Sequence, residues 1–164
     1  MRRRDFITLL GSAGLVGPVA GQAQTPMPVV GVLSAQSSSS EAAVLAAWRQ
    51  ALNDSGFVVG GNLELEYRFA DGQGDRLPLL AADLVRRPVK VLMANTTPTA
   101  VAAKAGTASI PIVFVTGVDP VEVGLVANFN KPGGNITGVT FLSNKLVAKR
   151  LELLAALIAG DAPI

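Results

Sequence analysis

The chain has 164 residues, of which 49% are hydrophobic and 16% charged, with a formal net charge of +2 at pH 7. The sequence pI of about 9.3 owes much to three consecutive arginines, Arg2 to Arg4. This composition excludes a disordered chain and argues against nucleic-acid binding. The sequence contains no histidine and no cysteine, so it lacks the commonest general base and metal ligand, the thiolate nucleophile and any disulfide. No catalytic residue, metal site or cofactor is predicted.

A targeting segment is predicted over residues 1–23. Arg3 and Arg4 precede an apolar stretch that extends to about Ala20, and small residues follow it. This order is typical of a cleaved secretory signal, and the paired arginines favour the twin-arginine variant over general export. The alternative, a membrane-spanning helix, needs roughly 20 apolar residues, whereas this run is shorter and is broken by glycine and proline. We expect export to the periplasm and a mature chain that begins near Gln24.

Apolar strand segments alternate with helical segments along residues 24–164. Strands are predicted at 29–33, 63–69, 91–94, 110–115 and 136–141, and helices at 41–55, 76–86, 99–105, 121–129 and from Ser143 or Asn144 to 158. Segment 63–69 alternates apolar and polar residues, as a half-exposed strand near a sheet edge does. The alternation of strand and helix predicts an α/β fold, with one open, mostly parallel sheet and helices on both of its faces.

Local signals suggest how individual helices begin and which face they bury. Ser38 and Glu41 are spaced as a capping box for the first helix. Thr97 is the predicted N-cap of the third helix, with Pro98 at its first position. Trp48 lies on the apolar stripe of the first helix, so it is interpreted as a core residue, with ligand stacking as the alternative.

Polar residues follow the predicted carboxyl ends of three strands, at the edge where open α/β sheets bind ligands. These candidate ligand-binding residues are Ser34, Ala35, Asn95, Thr96, Thr97, Thr116, Gly117 and Asp119. A helix N-terminus after Thr97 suits a ligand carboxylate. For Ser34, Thr96 and Thr97 the alternative is hydrogen bonding within their own loops. Asp119 has two open roles: it pairs with a ligand ammonium group, or it caps a helix that begins at Pro120.

Four segments carry a family resemblance. They are RRRDFITLLGSAG at 2–14, AAWRQALNDSGFVVGGNLELEYRFADGQGDRLPLLAADLVRR at 46–87, IPIVFVTGVDPVEVGLV at 110–126 and NKPGGNITGVTFLSNKLVAKRLELL at 130–154. Together they resemble the bacterial ABC-transporter substrate-binding proteins of the tryptophan-binding type, which are periplasmic-binding proteins with a type I fold. The resemblance extends over about residues 2–158. Relatives commonly carry a glycine-rich loop after the third strand, where this chain has Asn95, Thr96 and Thr97.

The resemblance implies a flavodoxin-like lobe and an extracytoplasmic solute-binding protein. Such a protein captures a small solute, here an aromatic amino acid, in a cleft between two lobes and passes it to the membrane permease of an ABC importer. Residues 24–164 correspond to the N-terminal lobe of the family, without its second lobe. Two alternatives stay open: a truncated lobe with little or no binding activity, and an enzyme on the same fold, for which the chain offers no catalytic constellation.

A single lobe supplies one wall of a two-lobed cleft. A solute on one wall keeps much of its hydration, each hydrogen bond gains about 1 kcal/mol, and association costs at least about 4 kcal/mol. We therefore expect the chain by itself to bind free amino acids with a dissociation constant on the order of millimolar or weaker. We also expect the exposed interlobe face to promote self-association.

Overall fold

The structure, a computed structural model, describes residues 27–141 and 146–159. The predicted targeting segment 1–23 and the predicted caps Ser143 and Asn144 lie outside these residues. The described elements alternate along the chain: β1 Val29–Ser34, α1 Ala42–Asp54, β2 Glu64–Phe69, α2 Leu77–Val85, β3 Val89–Ala94, α3 Thr97–Gly106, β4 Ile112–Thr116, β5 Ile136–Thr140 and α4 Val147–Ala159. No helix among them is long or apolar enough to cross a membrane.

The strands form one sheet in the order β2-β1-β3-β4-β5, and each neighbouring pair is parallel. The predicted α/β class and the parallel sheet are thus confirmed, and β2 is an edge strand, as the alternation in its sequence indicates. After β1 the chain moves outward to β2 and then returns past β1 to β3. Since parallel crossovers are right-handed, this reversal places α1 on the opposite face of the sheet from α2 and α3.

The main core lies between the sheet and the pair α2 and α3. Apolar side chains from all of these elements are buried together there: Leu33, Ala81, Leu84, Leu92, Ala103, Ile112 and Phe114. The alternation of side chains along each strand sends the intervening residues to the other face. There Trp48 of α1 lines an apolar groove of about 350 Å³ together with Val30, Val91 and Met93. Trp48 is half-buried and lines this groove, so it lies outside the main core in which its sequence pattern predicts it.

Two helix predictions were wrong. Residues 121–129 form turns rather than a helix, because Gly124 has a left-handed φ of +67° and the amides of Leu125 and Val126 both donate to the Pro120 carbonyl. The expected capping box of α1 does not form either. Glu41 occupies the N-cap position, but no side chain caps this end of α1.

The fourth helix forms where the sequence predicts it. Val147–Ala159 is helical, in agreement with the predicted end at 158. Its apolar residues are largely exposed in the described part of the chain: Val147, Leu151, Leu153, Leu154, Leu157 and Ile158. The helix therefore presents an apolar surface that the remainder of the described chain does not bury.

Candidate ligand-binding site

The eight predicted site residues lie together at the carboxyl edge of three neighbouring strands. They lie at or just after the carboxyl ends of β1, β3 and β4, which are adjacent in the parallel sheet, so the three loops emerge at the same edge. Six are partly exposed, namely Ala35, Asn95, Thr96, Thr97, Gly117 and Asp119, whereas Ser34 and Thr116 are buried. Partial exposure is what a side chain needs if it contacts both its own loop and a ligand.

Ser34 shapes the loop after β1. Its hydroxyl accepts a hydrogen bond from the Gln36 amide at 3.0 Å, and its carbonyl accepts one from the Ala70 amide at 2.9 Å. The neighbouring Ala35 carbonyl accepts from the Gly72 amide at 2.8 Å. The two carbonyls tie the loop after β1 to the loop after β2, and the Ser34 hydroxyl holds the backbone of its own loop in place.

The start of α3 is capped by Thr96 and not by Thr97, which corrects the predicted cap by one residue. The Thr96 hydroxyl accepts from the Thr99 amide, and the Thr99 hydroxyl accepts from the Thr96 amide at 3.0 Å. This reciprocal pair is a capping box in which threonine replaces the usual Glu or Gln. Because Pro98 has no N–H and the Thr99 amide is used by the cap, the Thr97 amide is the first-turn donor left for a ligand anion.

Thr97 contacts the next loop instead of its own helix. Its hydroxyl lies 2.6 Å from the hydroxyl of Thr116, and the Thr116 hydroxyl also accepts from the Val118 amide at 3.2 Å. The hydroxyls of Thr97 and Thr116 therefore link the loop after β3 to the loop after β4. This contact brings together two of the predicted site residues.

Asp119 organises the turn that replaces the expected helix. Its Oδ1 accepts a hydrogen bond from the Val121 amide at 2.9 Å, and its carbonyl accepts from the Val123 amide at 3.2 Å. The side chain is partly exposed. Capping of a helix that begins at Pro120 is therefore excluded, because the chain forms a turn there. A role in ligand binding stays a proposal.

Glu41 lies beside the candidate residues, where the sequence pattern did not place it. It lies just before α1, in the loop after β1, and only 7% of its surface is exposed. Its Oε1 accepts a hydrogen bond of 2.6 Å from Nδ2 of Asn95. The only local signal was an acidic residue at the start of a helix, which indicated a cap. The contact with Asn95 depends on β1 and β3 being neighbours.

The eight candidate residues and Glu41 offer hydroxyls, backbone amides, one carboxamide and two carboxylates. Such groups suit hydrogen bonding to a small polar solute. In the described residues, no cluster of three or more acidic side chains is positioned to hold a metal ion. The site as described is equipped for recognition by hydrogen bonds and charge.

Comparison with known proteins identifies the family. The family model described as ABC transporter substrate binding protein matches residues 29–160. A curated relative, the tyrosine-binding protein of Clostridioides difficile (strain R20291), is 36% identical over 109 residues. That alignment covers 66% of this chain and 31% of the relative. The chain thus spans about a third of the length of this relative.

Solved structures show the same fold. A conserved domain protein from Vibrio cholerae O1 biovar eltor is 32% identical with a TM-score of 0.70, over 78% of this chain and 43% of that one. A substrate-binding protein with adhesive properties from Clostridium difficile, ligand-free and open, is 26% identical with a TM-score of 0.62. The match covers 74% of this chain and 43% of that chain. An ABC domain from Streptococcus pneumonia in complex with L-Trp is 25% identical with a TM-score of 0.59. The match covers 68% of this chain and 37% of that chain.

These matches agree with the resemblance carried by the sequence segments and with the parallel sheet. The family model extends from the first residue of β1 to just beyond the end of α4. Its members are substrate-binding proteins that act outside the cytoplasm. On this evidence, the chain belongs to the family of ABC transporter substrate-binding proteins.

Proposed function

We propose that this chain captures a small solute for an ABC importer and that the solute binds at the carboxyl edge of β1, β3 and β4. The observation that carries the proposal is the convergence of three polar loops at this edge, in a chain of the substrate-binding family. In this proposal the eight predicted residues, Ser34, Ala35, Asn95, Thr96, Thr97, Thr116, Gly117 and Asp119, contact the solute or hold its contacts in place. The edge forms one wall of the interlobe cleft.

An amino acid with an aromatic side chain is the proposed solute. Support comes from the relative that is a tyrosine-binding protein and from the streptococcal structure that contains L-Trp. The site chemistry fits, since hydroxyls and amides suit the carboxylate and carboxylates suit the ammonium group. Because the described residues supply one wall, we expect this chain by itself to bind with a dissociation constant on the order of millimolar or weaker.

Titration of the whole chain, purified after export, with L-tryptophan, L-phenylalanine and L-tyrosine tests the proposal. NMR suits weak binding, and we expect saturable shifts of the backbone amides of Thr96, Thr97 and Thr116. Glycine and glucose are the control solutes, with smaller or no shifts at these amides. Saturable shifts confined to the opposite, amino edge of the sheet, or no saturable shift with any aromatic amino acid, contradict the proposal.

The proposal includes a periplasmic location, delivery to a membrane permease and self-association with a second copy of the chain. The exposed apolar residues of α4, among them Leu151, Leu154 and Leu157, support self-association, since apolar patches of this kind drive contact between chains. Light scattering of the purified chain measures the mass in solution. Replacing Leu154 and Leu157 by Gln should shift the mass toward that of the monomer.

A further inference from the structure

The eight candidate residues leave the ring of the proposed solute without a partner. Their side chains are small or polar, and none is aromatic. Small-molecule sites are usually lined by apolar and aromatic side chains, with a few polar groups that fix the orientation of the ligand. The three polar loops account for the charged groups of an amino acid but not for its side chain. An aromatic residue at the same edge of the sheet would complete the site.

Phe141 lies at this edge, at the carboxyl end of β5. Thr116 and Thr140, the last residues of β4 and β5, are paired in the sheet. The Phe141 amide donates a hydrogen bond of 3.0 Å to the Thr116 carbonyl. The next residue after β4 is Gly117, which has no side chain to cover a neighbouring ring. The backbone of Phe141 is therefore held directly beside two of the candidate residues.

The side chain of Phe141 is open to solvent. Phe141 is 70% exposed, which makes it the most exposed aromatic residue in the described part of the chain. Aromatic rings carry a large apolar surface, and their burial contributes strongly to binding. A solute at the candidate site can reach this ring without any rearrangement of the fold.

The polar groups proposed to hold the solute lie within reach of Phe141. Thr116 contacts Thr97 through hydroxyls 2.6 Å apart, and the Thr97 amide is the first-turn donor of α3 left for an anion. Adjacent strands lie about 4.8 Å apart, so the ends of β3 and β5 are separated by about 10 Å. An aromatic amino acid whose carboxylate binds at the start of α3 can extend its ring across the end of β4 toward Phe141.

We propose that Phe141 is the contact surface for the aromatic ring of the solute. Aromatic pairs in offset-stacked or edge-to-face arrangements contribute more than their buried area alone. The inference rests on the proposed function and adds a determinant of its specificity. The loops after β1, β3 and β4 hold the charged groups, and the ring packs on Phe141 at the end of β5. The site then prefers aromatic amino acids over those with small side chains.

Two other aromatic residues compete for this role. Phe69 ends β2, which β1 and β3 separate from β4, and its ring stacks on that of Tyr67 with centroids 5.8 Å apart. Trp48 lines the apolar groove together with Ser55, the C-cap of α1. Because α1 begins after the carboxyl end of β1, its C-terminus lies toward the amino edge, and the groove extends away from the three loops. Phe141 is therefore assigned to the solute ring.

Two amino acids that differ in the ring test the assignment. L-Tryptophan and L-alanine share the amino and carboxylate groups, and L-alanine has no ring. In NMR titrations of the whole chain, L-tryptophan should bind at least about threefold more tightly than L-alanine, the gain that one aromatic pair produces. Nuclear Overhauser effects should connect the indole protons to the ring protons of Phe141 in the wild-type chain.

Variants locate the source of this preference. Phe141→Ala keeps the backbone bond to Thr116 but removes the ring, so L-tryptophan and L-alanine should bind within about twofold of each other. Phe141→Tyr retains a ring and should retain the preference. Phe57→Ala is the matched control, since Phe57 is 46% exposed between α1 and β2, at the amino edge. Phe69→Leu tests the competing ring and should also retain the preference.

The outcomes separate the inference from the function on which it rests. A preference for L-tryptophan that persists in Phe141→Ala, or that is lost in Phe69→Leu instead, overturns the inference but leaves solute capture intact. Equal binding of L-tryptophan and L-alanine by the wild-type chain overturns both the inference and the choice of an aromatic solute. No saturable binding of either compound overturns the proposed function and the inference together.

The wild-type chain decides the question even if Phe141→Ala does not fold. Nuclear Overhauser effects from bound L-tryptophan to the Phe141 ring support the inference. Their absence at saturation, with the backbone amides of Thr97 and Thr116 shifted, overturns the inference and leaves the proposed solute site in place.

Discussion

The hydroxyl oxygens of Thr97 and Thr116 lie 2.6 Å apart and join the first turn of α3 to the end of β4. The two residues are separated by one helix and one strand in the chain, and Thr116 is buried. The contact fixes the spacing of two loops at the candidate site. The stability of this edge and the geometry of the proposed solute site therefore depend on the same hydrogen bond.

Thr97→Val should destabilise the fold by about 1 kcal/mol, because valine keeps the shape but removes a hydrogen bond to a buried hydroxyl. Urea unfolding, with equal slopes for both proteins, measures the difference in the free energy of unfolding. Thr97→Ser is the control, and its free energy of unfolding should fall much less, since serine retains the hydroxyl. Equal stabilities of wild type and Thr97→Val would show that this contact adds nothing in solution.

Thr96→Ala should cost about 1 kcal/mol through loss of the N-cap of α3. The reason is that the Thr99 amide then has no side-chain acceptor, whereas the bond from the amide of residue 96 to the Thr99 hydroxyl does not need the Thr96 side chain. Thr96→Asn restores a capping oxygen and should recover most of the loss. Chemical denaturation compares the three proteins. A loss for Thr96→Asn as large as that for Thr96→Ala would contradict the cap.

Asp83 should make stability depend on pH in the acid range. The hydrogen bond from Arg68, at 2.6 Å, holds the pKa of the Asp83 carboxyl below its ordinary value of 3.8, and nearby Arg87 acts in the same direction. Because the folded pKa is lowered, this stabilisation is complete above the unfolded pKa. It is lost as pH falls through that value toward the folded pKa.

Thermal melting from neutral pH down into the acid range measures the contribution of the Asp83 carboxylate to stability. Asp83→Asn should be less stable than wild type at neutral pH and should approach it as the pH falls below about 4. Asp75→Asn, at an exposed position, is the control for the chemical change itself. A difference in melting temperature between Asp83→Asn and wild type that stays constant across this pH range would contradict the ion pair.

Gly138→Ala should destabilise the packing of β5 against β4. A Cβ at this position would overlap the carbonyl oxygen and the ring of Phe114, which is buried in the main core. Backbone cannot yield as a flexible side chain does, so a cost of about 1–3 kcal/mol is expected. Gly74→Ala is the control, because its Cβ would meet open space. Similar unfolding midpoints for the two variants would disprove the overlap.

Export should depend on Arg3 and Arg4 if the predicted twin-arginine route is used. Mass spectrometry of the periplasmic fraction should find an N-terminus near Gln24. Replacement of Arg3 and Arg4 by lysine keeps the positive charge but should block twin-arginine export. Normal export of this variant would point to the general route, and an intact Met1 in the cytoplasm would argue against a cleaved signal.

The sequence by itself determined the elements and the edge at which the candidate residues lie. Apolar runs and helical stripes are local patterns, and they located all five strands and α1 to α4 to within a few residues. A parallel sheet then places Ser34, Thr96 and Asp119 at one edge, since each lies at or just after the carboxyl end of a strand. The local signals wrongly predicted a helix at 121–129. Gly124 has a left-handed φ of +67° there, and the chain turns instead.

Only the tertiary structure decided which side chains meet. The N-cap of α3 is Thr96 rather than the predicted Thr97, whose hydroxyl contacts that of Thr116. Neither fact can be read from the sequence of one helical turn. Glu41 has the spacing of a capping residue, yet its carboxylate binds Asn95, 54 residues away. That contact exists because the strand order places β3 beside β1, and strand order is set by packing across the whole sheet rather than by neighbouring residues.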